Sequence, residues 1–170
     1  MFGIGATEMA GVLATGEIWI KVPETILIKW TGQTDTFVTA KDMMLATCAK
    51  IGMGGGRYQA IQYAGEAIHK LNMQERMTMS NMAAELGAQA GLISPDETTI
   101  EYLKSVNASI LDNWQNYQIE KPDLNGEVIN LDASSLSPQI AAPHSPENSS
   151  DVDDFKNISF DIAYIGACTG

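Results

Sequence analysis

Between Glu24 and Glu97 the chain alternates runs of β-branched and aromatic residues with stretches that open on helix-capping residues, and this alternation restricts it to a layered α/β fold. Glu24-Thr-Ile-Leu-Ile-Lys-Trp30 reads as a strand. Thr39-Ala-Lys-Asp42 resembles a capping box with Asp in place of the usual Glu. Met43, Met44, Ala46, Ala49 and Ile51 then keep helical spacing up to Gly52, which predicts a core-facing helix. Tyr58 to Tyr63 reads as a buried strand. Asn72-Met-Gln-Glu75 is a second capping-box pattern and predicts a helix to about Leu86, stopped near Gly87. Ala88 to Ile93 follows as a short strand, and Ser94-Pro95-Asp96-Glu97 predicts another helix with Ser94 as its cap and Pro95 at its first position.

The flanks carry weaker signals. Thr7 to Thr15 has helix character, with Thr7 as N-cap, Glu8 in the first turn and Gly16 as the stop. Glu17-Ile-Trp-Ile-Lys-Val22 alternates in part, and Pro23 cannot donate a ladder bond, so residues 17–30 predict two strands or one bent strand at a sheet edge. That pair makes the expected sheet mixed but mostly parallel. Beyond Leu111, Glu127 to Asp132 can form a strand, whereas Ser134 to Asp154 is rich in Pro, Ser and acids, a linker composition. Ile158 to Ile165 reads as a last strand leading to Cys168. The expected division is therefore an α/β domain over 1–111, a linker over 112–157 and the start of a further domain over 158–170, with the chain cut at that point.

Charge removes several function classes. Ten Lys and Arg against 21 Asp and Glu give a net charge of -11, the wrong sign for neutralising phosphates, so nucleic acid and anionic membrane are poor partners. No apolar run approaches the roughly 20 residues of a bilayer span. The only two cysteines, Cys48 and Cys168, make no disulfide framework, and the expected compartment is reducing and cytoplasmic.

Few side chains can carry chemistry. Asn81 and Glu85 stand four apart on a helix otherwise built from Met77, Met79, Met82, Ala83, Ala84 and Leu86. They form either the solvent stripe of that helix or a polar pair aimed into a cleft, where the Glu can exchange a proton with a hydroxyl or water. Cys168 follows an apolar run and is either a small buried hydrophobe or a thiolate presented at a loop. Cys48, inside an amphipathic helix, belongs to the core. Gly54-Gly55-Gly56 lacks the Lys-Ser/Thr of a phosphate loop, and Arg57 leads into a strand. His69 and His144 have no partners at metal-ligand spacing and are expected to be exposed.

Several of these segments resemble one family in its own order. They are Gly3-Ile-Gly-Ala-Thr-Glu-Met-Ala-Gly-Val-Leu-Ala-Thr-Gly16, Ile20-Lys-Val-Pro-Glu-Thr-Ile26, Glu75-Arg-Met-Thr78, Ser80-Asn-Met-Ala-Ala-Glu-Leu-Gly-Ala88, Ser137-Pro-Gln-Ile-Ala141 and Ile165-Gly-Ala-Cys-Thr169. Together they are similar to the aconitase superfamily, in its branch of 3-isopropylmalate dehydratase and homoaconitase large subunits. The resemblance covers nearly the whole chain and is weakest in the acidic linker. It implies a three-layer α/β/α domain of aconitase type. It also implies a hydro-lyase that isomerises 2-isopropylmalate and 3-isopropylmalate by dehydration and rehydration in leucine biosynthesis, with homoaconitase of lysine biosynthesis as the near alternative.

In that family a [4Fe-4S] cluster held by three Cys acts as a Lewis acid. The resemblance makes Cys168 the first of those ligands, binding iron in the intact protein, and gives Glu85 and Asn81 catalytic roles: the Glu handles the hydroxyl or water and the Asn helps hold it. Gly-Ala-Cys-Thr-Gly stands here where the family writes Gly-Ser-Cys-Thr-Asn, which alters the hydrogen bonding around the cluster. The family's Asp-Ser-His-Thr segment and Cys-x-x-Cys pair do not occur in this sequence, and its serine base and substrate arginines belong to a swivelling domain or small subunit. The fragment by itself is thus expected to hold no cluster and to be inactive, its partners being the small subunit and a 3-isopropylmalate-type substrate. A stand-alone binding or regulatory domain is the reading from a different class.

Overall fold

A computed structural model of the chain describes residues 2–118 and 126–166. β1 (Thr25–Thr31) lies between β2 (Ala60–Ala64) and β4 (Val128–Asp132), with β3 (Ala90–Ile93) outside β2, and all three pairings are parallel. The registers Ile26↔Ile61↔Gly91 and Ile28↔Tyr63↔Ile93 align one face of the sheet, joined by Ile129 and Leu131 of β4 through the β1–β4 register. Ile26, Ile28, Trp30, Ile61 and Tyr63 of that face are buried.

Two helices cover it. α2 (Ala40–Ile51) contributes Met43, Met44 and Cys48, and α4 (Met73–Asn81) with its extension contributes Met79, Met82 and Leu86 to the same apolar cluster. Each fully buried Ile, Leu or Met supplies about 1.5–3 kcal/mol of apolar transfer free energy. Helix and strand meet closely at Gly91, where a Cβ would stand 2.6 Å from the Ser80 carbonyl oxygen and 2.8 Å from the Ala83 Cβ. The other face carries Leu27, Lys29, Gln62 and Val128 and borders a cleft of about 440 Å³ that Pro95, Asp96 and Gln118 help to line.

The α/β class and the mostly parallel sheet are as the sequence predicts, and several local readings change. No strand forms over 17–22, because β2 and β4 occupy both edges of β1 and leave no place for a hairpin partner. The main sheet is therefore wholly parallel. The strand expected inside the linker is β4, the fourth strand of the sheet, so the domain does not end at residue 111. The Pro- and Ser-rich stretch is also built in: β5 (Gln139–Ala141) and β6 (Ser149–Asp151) form an antiparallel ribbon. It is tied to α2 by Gln139 N–H donating to Asp42 at 2.8 Å, and the segment between the two strands is tied to the turn after α2 by Met53 N–H donating to Glu147 at 3.0 Å. No strand forms over 158–166. Phe160, Ile162 and Tyr164 there are exposed and meet no free sheet edge among the described residues.

The caps follow the sequence in two helices and depart from it in two. Thr39 and Asp42 cap α2, and Asn72 and Glu75 cap α4 reciprocally, at 3.0 and 2.9 Å. α1 (Ala6–Thr15) is capped by Gly5, whose N–H donates to Glu8, in place of Thr7. α5 (Glu97–Ser105) is capped by Asp96 in place of Ser94, because Asp96 accepts from the Thr99 N–H while Arg76 fixes its carboxylate. A short α3 (Glu66–Lys70) joins β2 to α4. Among the described residues no helix is long and apolar enough to cross a membrane.

Candidate functional site

The segment that carries Asn81 and Glu85 is a continuous α-helix only as far as Asn81. The chain then tightens into a 3₁₀ stretch, Met82–Leu86, before Gly87 at φ 70° turns it toward β3. Gly87 is suited to this left-handed position, where a side chain would strain the backbone. An α-helix turns about 100° per residue and a 3₁₀ helix about 120°, so the four-residue spacing no longer stacks the two side chains as it would in an unbroken helix. Asn81 is half-buried and lines a small hollow with Phe2, Ser80, Ala84 and Gln89. Glu85, also half-buried, points one carboxylate oxygen, Oε2, into the protein, where it meets no hydrogen-bond partner.

The Glu85 charge acts on two buried groups, Cys48 of α2 and Tyr63 of β2. Burial, and then the Glu85 carboxylate with a smaller contribution from Glu147, push the Cys48 thiol up to about 11. Burial raises the Tyr63 phenol as well, with Cys48 and Glu85 adding to it. Both groups therefore stay protonated at neutral pH and are neutral donors. The Tyr63 hydroxyl is buried without a partner, as is the indole N–H of Trp30 on the same face of the sheet. Sequence patterning predicts Tyr63 as a buried strand residue and Cys48 as core, and both are. No signal in the sequence marks the Tyr63 hydroxyl as lacking a partner.

A second polar cluster lies where α3, α4 and α5 meet. Arg76, 2% exposed, donates to both carboxylate oxygens of Asp96, at 2.6 and 2.8 Å, and to the carbonyls of Leu71 and His69, at 3.0 and 3.1 Å. Partial burial alone would raise the Asp96 carboxyl, but the Arg76 hydrogen bonds and charge, with the Thr99 N–H, outweigh it and hold it below the usual carboxylate range. The His69 ring is exposed and lies 3.7 Å from Asp96. His144 is exposed too.

Cys168 lies outside the described residues. The described residues do not fit a [4Fe-4S] cluster: their single thiol, Cys48, is enclosed in apolar core and held protonated, and no group of three or more His, Cys, Asp or Glu among them can hold a metal ion.

Comparison with known proteins gives a consistent result. Residues 1–164 match the aconitase family (aconitate hydratase). The 3-isopropylmalate dehydratase large subunit of Moorella thermoacetica is 41% identical over 167 residues, covering 98% of this chain and 39% of that protein. The 3-isopropylmalate dehydratase large subunit 1 of Pyrococcus furiosus is 42% identical over 172 residues, with the same two coverages, and the large subunit of Aquifex aeolicus is 40% identical over 167 residues, covering 98% and 38%. The chain spans about two fifths of the length of these relatives.

Proposed function

Because the chain belongs to the aconitase family, we propose that it is part of the large subunit of a hydro-lyase that interconverts 2-isopropylmalate and 3-isopropylmalate in leucine biosynthesis. The observation that carries this reading is identity of 37–42% across 98% of the chain to relatives named as 3-isopropylmalate dehydratase large subunits. That name also favours isopropylmalate over homoaconitate. The partners of the longer protein are then a small subunit and a malate-type substrate, and its compartment is the cytoplasm. Cys168 is the one thiol of this chain proposed for the cluster of the longer protein, the other ligands lying outside this sequence.

In the dehydration a carbon–oxygen bond breaks and the hydroxyl leaves with a proton as water, while the electron pair of a neighbouring carbon–hydrogen bond forms the double bond. Glu85 is assigned the proton at oxygen: its protonated form gives it to the leaving hydroxyl, and its carboxylate takes one from the incoming water on re-addition. Asn81 is assigned the orientation of that hydroxyl through its carboxamide. The base that removes the carbon-bound proton comes from outside this chain.

The test is Glu85→Gln in the full-length large subunit with its small subunit. The substitution keeps the size and much of the hydrogen bonding of the side chain but cannot exchange the proton. Turnover of 3-isopropylmalate should fall by roughly 10²-fold or more, the scale of losing a general acid–base group, with the cluster absorbance unchanged. A wild-type rate would remove Glu85 from the mechanism.

A further inference from the structure

We infer that the arm formed by α1 and the extended run after it, residues 6–22, is a docking element whose apolar side chains are covered by the part of the large subunit that lies outside this sequence. This rests on the reading that the chain is one part of such a subunit, and it assigns an interface to a segment in which neither the motifs nor the relatives' names place one.

The arm is apolar and almost bare. None of the ten residues of α1 is buried, and only Val12 is half-buried. Ala6, Met9, Ala10 and Leu13 stand at helical spacing along one stripe. The rest of the helix is small or apolar as well. Its single charged residue, Glu8, is engaged at the cap, where it accepts from the Gly5 N–H at 2.7 Å. A helix without a polar face belongs inside a packed structure, and one this short gains too little from its own hydrogen bonds to persist in water. The run after it continues the pattern, with Trp19 88% and Val22 85% exposed. The arm is held at both ends, by the Phe2–Ala90 bridge beside β3 and by entry into β1 at Thr25, yet the body of the domain does not cover it.

The occupant follows from three observations. The relatives that match the arm together with the domain are about two and a half times longer, the chain covering 39% of them, so most of each such subunit is polypeptide that this structure lacks. The other flank has the same character: among the described residues the six most exposed large apolar side chains are Leu13, Trp19, Val22, Ile162, Tyr164 and Ile165. Bare apolar surface concentrated on both flanks of a packed sheet domain marks where one chain continues into its neighbouring parts. A bilayer is a poor alternative, because α1 is only about 15 Å long and carries no Lys or Arg to meet lipid headgroups. Pairing of two copies would bring together chains that each carry a net charge of -11.

The experiment is hydrogen exchange, read by mass spectrometry on peptides spanning 6–22, in the full-length large subunit alone and with its small subunit. In the large subunit alone the α1 amides should exchange roughly 10²-fold or more slowly than in a free peptide of the same sequence, as in a packed element, at every protein concentration. Protection that appears only with the small subunit assigns the arm to that subunit, and protection lost on dilution assigns it to a second copy. Either result overturns the inference, as does fast exchange throughout. Leu13→Asp combined with Trp19→Asp should lower the melting temperature of the large subunit alone, because two carboxylates would enter the interface; an unchanged melt overturns the inference too. If the doubly substituted protein does not fold, exchange in the wild-type protein still decides. Lack of turnover of 3-isopropylmalate by the wild-type enzyme would remove the functional reading and leave the exchange result standing.

Discussion

Arg76–Asp96 and Glu85–Tyr63–Cys48 are both polar clusters set into one small α/β domain, yet they differ in one respect that separates structural from functional polarity. Around Arg76 the donors are matched: the guanidinium meets two carboxylate oxygens and two carbonyls, and Asp96 also caps α5. Glu85 Oε2 and the Tyr63 hydroxyl are each buried without a hydrogen-bond partner, and the Glu85 charge opposes ionisation of the Cys48 thiol. A matched buried cluster locks elements together. An unmatched one costs stability. The Arg76 cluster is thus a clasp of the fold, whereas the residues around Glu85 include the catalytic pair proposed above.

The sharpest way to break that comparison is Asp96→Ala. It leaves the Arg76 guanidinium buried and unpaired, which should cost about 3–5 kcal/mol, the scale of breaking a buried ion pair from one side, and urea denaturation measures it. The same residue sets an acid sensitivity. Because the folded Asp96 carboxyl titrates below its usual range, its contribution is fully present above the unfolded carboxylate pKa of about 3.9 and is lost as pH falls through the lower folded value. Asp96→Ala should therefore flatten the loss of stability on the acid side of pH 4. An unchanged acid limb would mean that other carboxylates carry it.

Gly91→Ala tests how tightly the 3₁₀ stretch is seated. The new methyl would lie 2.6 Å from the Ser80 carbonyl oxygen and 2.8 Å from the Ala83 Cβ, so the segment carrying Asn81 and Glu85 must shift off the sheet. The expected cost is about 1–3 kcal/mol, typical of an overpacked contact. In the full-length enzyme kcat should fall as well, although Gly91 touches no reacting group. Loss of stability with unchanged kcat would show that the position of Glu85 is not set by this crossing.

The elements that alternation and capping specify locally were legible in the sequence: β1, α2, β2, α4 and β3 all occur where the pattern places them. What misled was composition read without pairing. Ser134 to Asp154 has a linker's residues, yet Asp42 and Glu147 anchor it to α2 and the turn after α2 through backbone amides, and nothing local announces a contact between residues 97 positions apart. Residues 17–22 have strand character, but both edges of β1 are taken by strands that arrive later in the chain. At the site, Glu85 stood out as a carboxylate on an apolar element. The break from α to 3₁₀ after Asn81 was invisible because Met82-Ala-Ala-Glu-Leu86 has ordinary helix formers throughout.

The smallest expected effect probes the Glu85 cluster without any enzyme activity. Cys48 is fully buried, with its thiol raised to about 11, and only the thiolate alkylates at an appreciable rate. In a Cys168→Ser background, which leaves Cys48 as the single thiol, iodoacetamide at pH 8 should react far more slowly with the folded chain than with the denatured one. The rate should climb only as pH approaches the raised value. Glu85→Gln then removes a negative charge that opposes ionisation of the thiol, so the midpoint of the rate–pH curve should move to lower pH. The shift should be modest, because burial is the larger cause and Glu85→Gln leaves it in place. The midpoint is the informative quantity, since a change in local opening scales the rate at every pH without moving it. A midpoint identical in the two proteins would mean that the Glu85 charge does not act on Cys48, and the comparison of the two clusters would lose its electrostatic support.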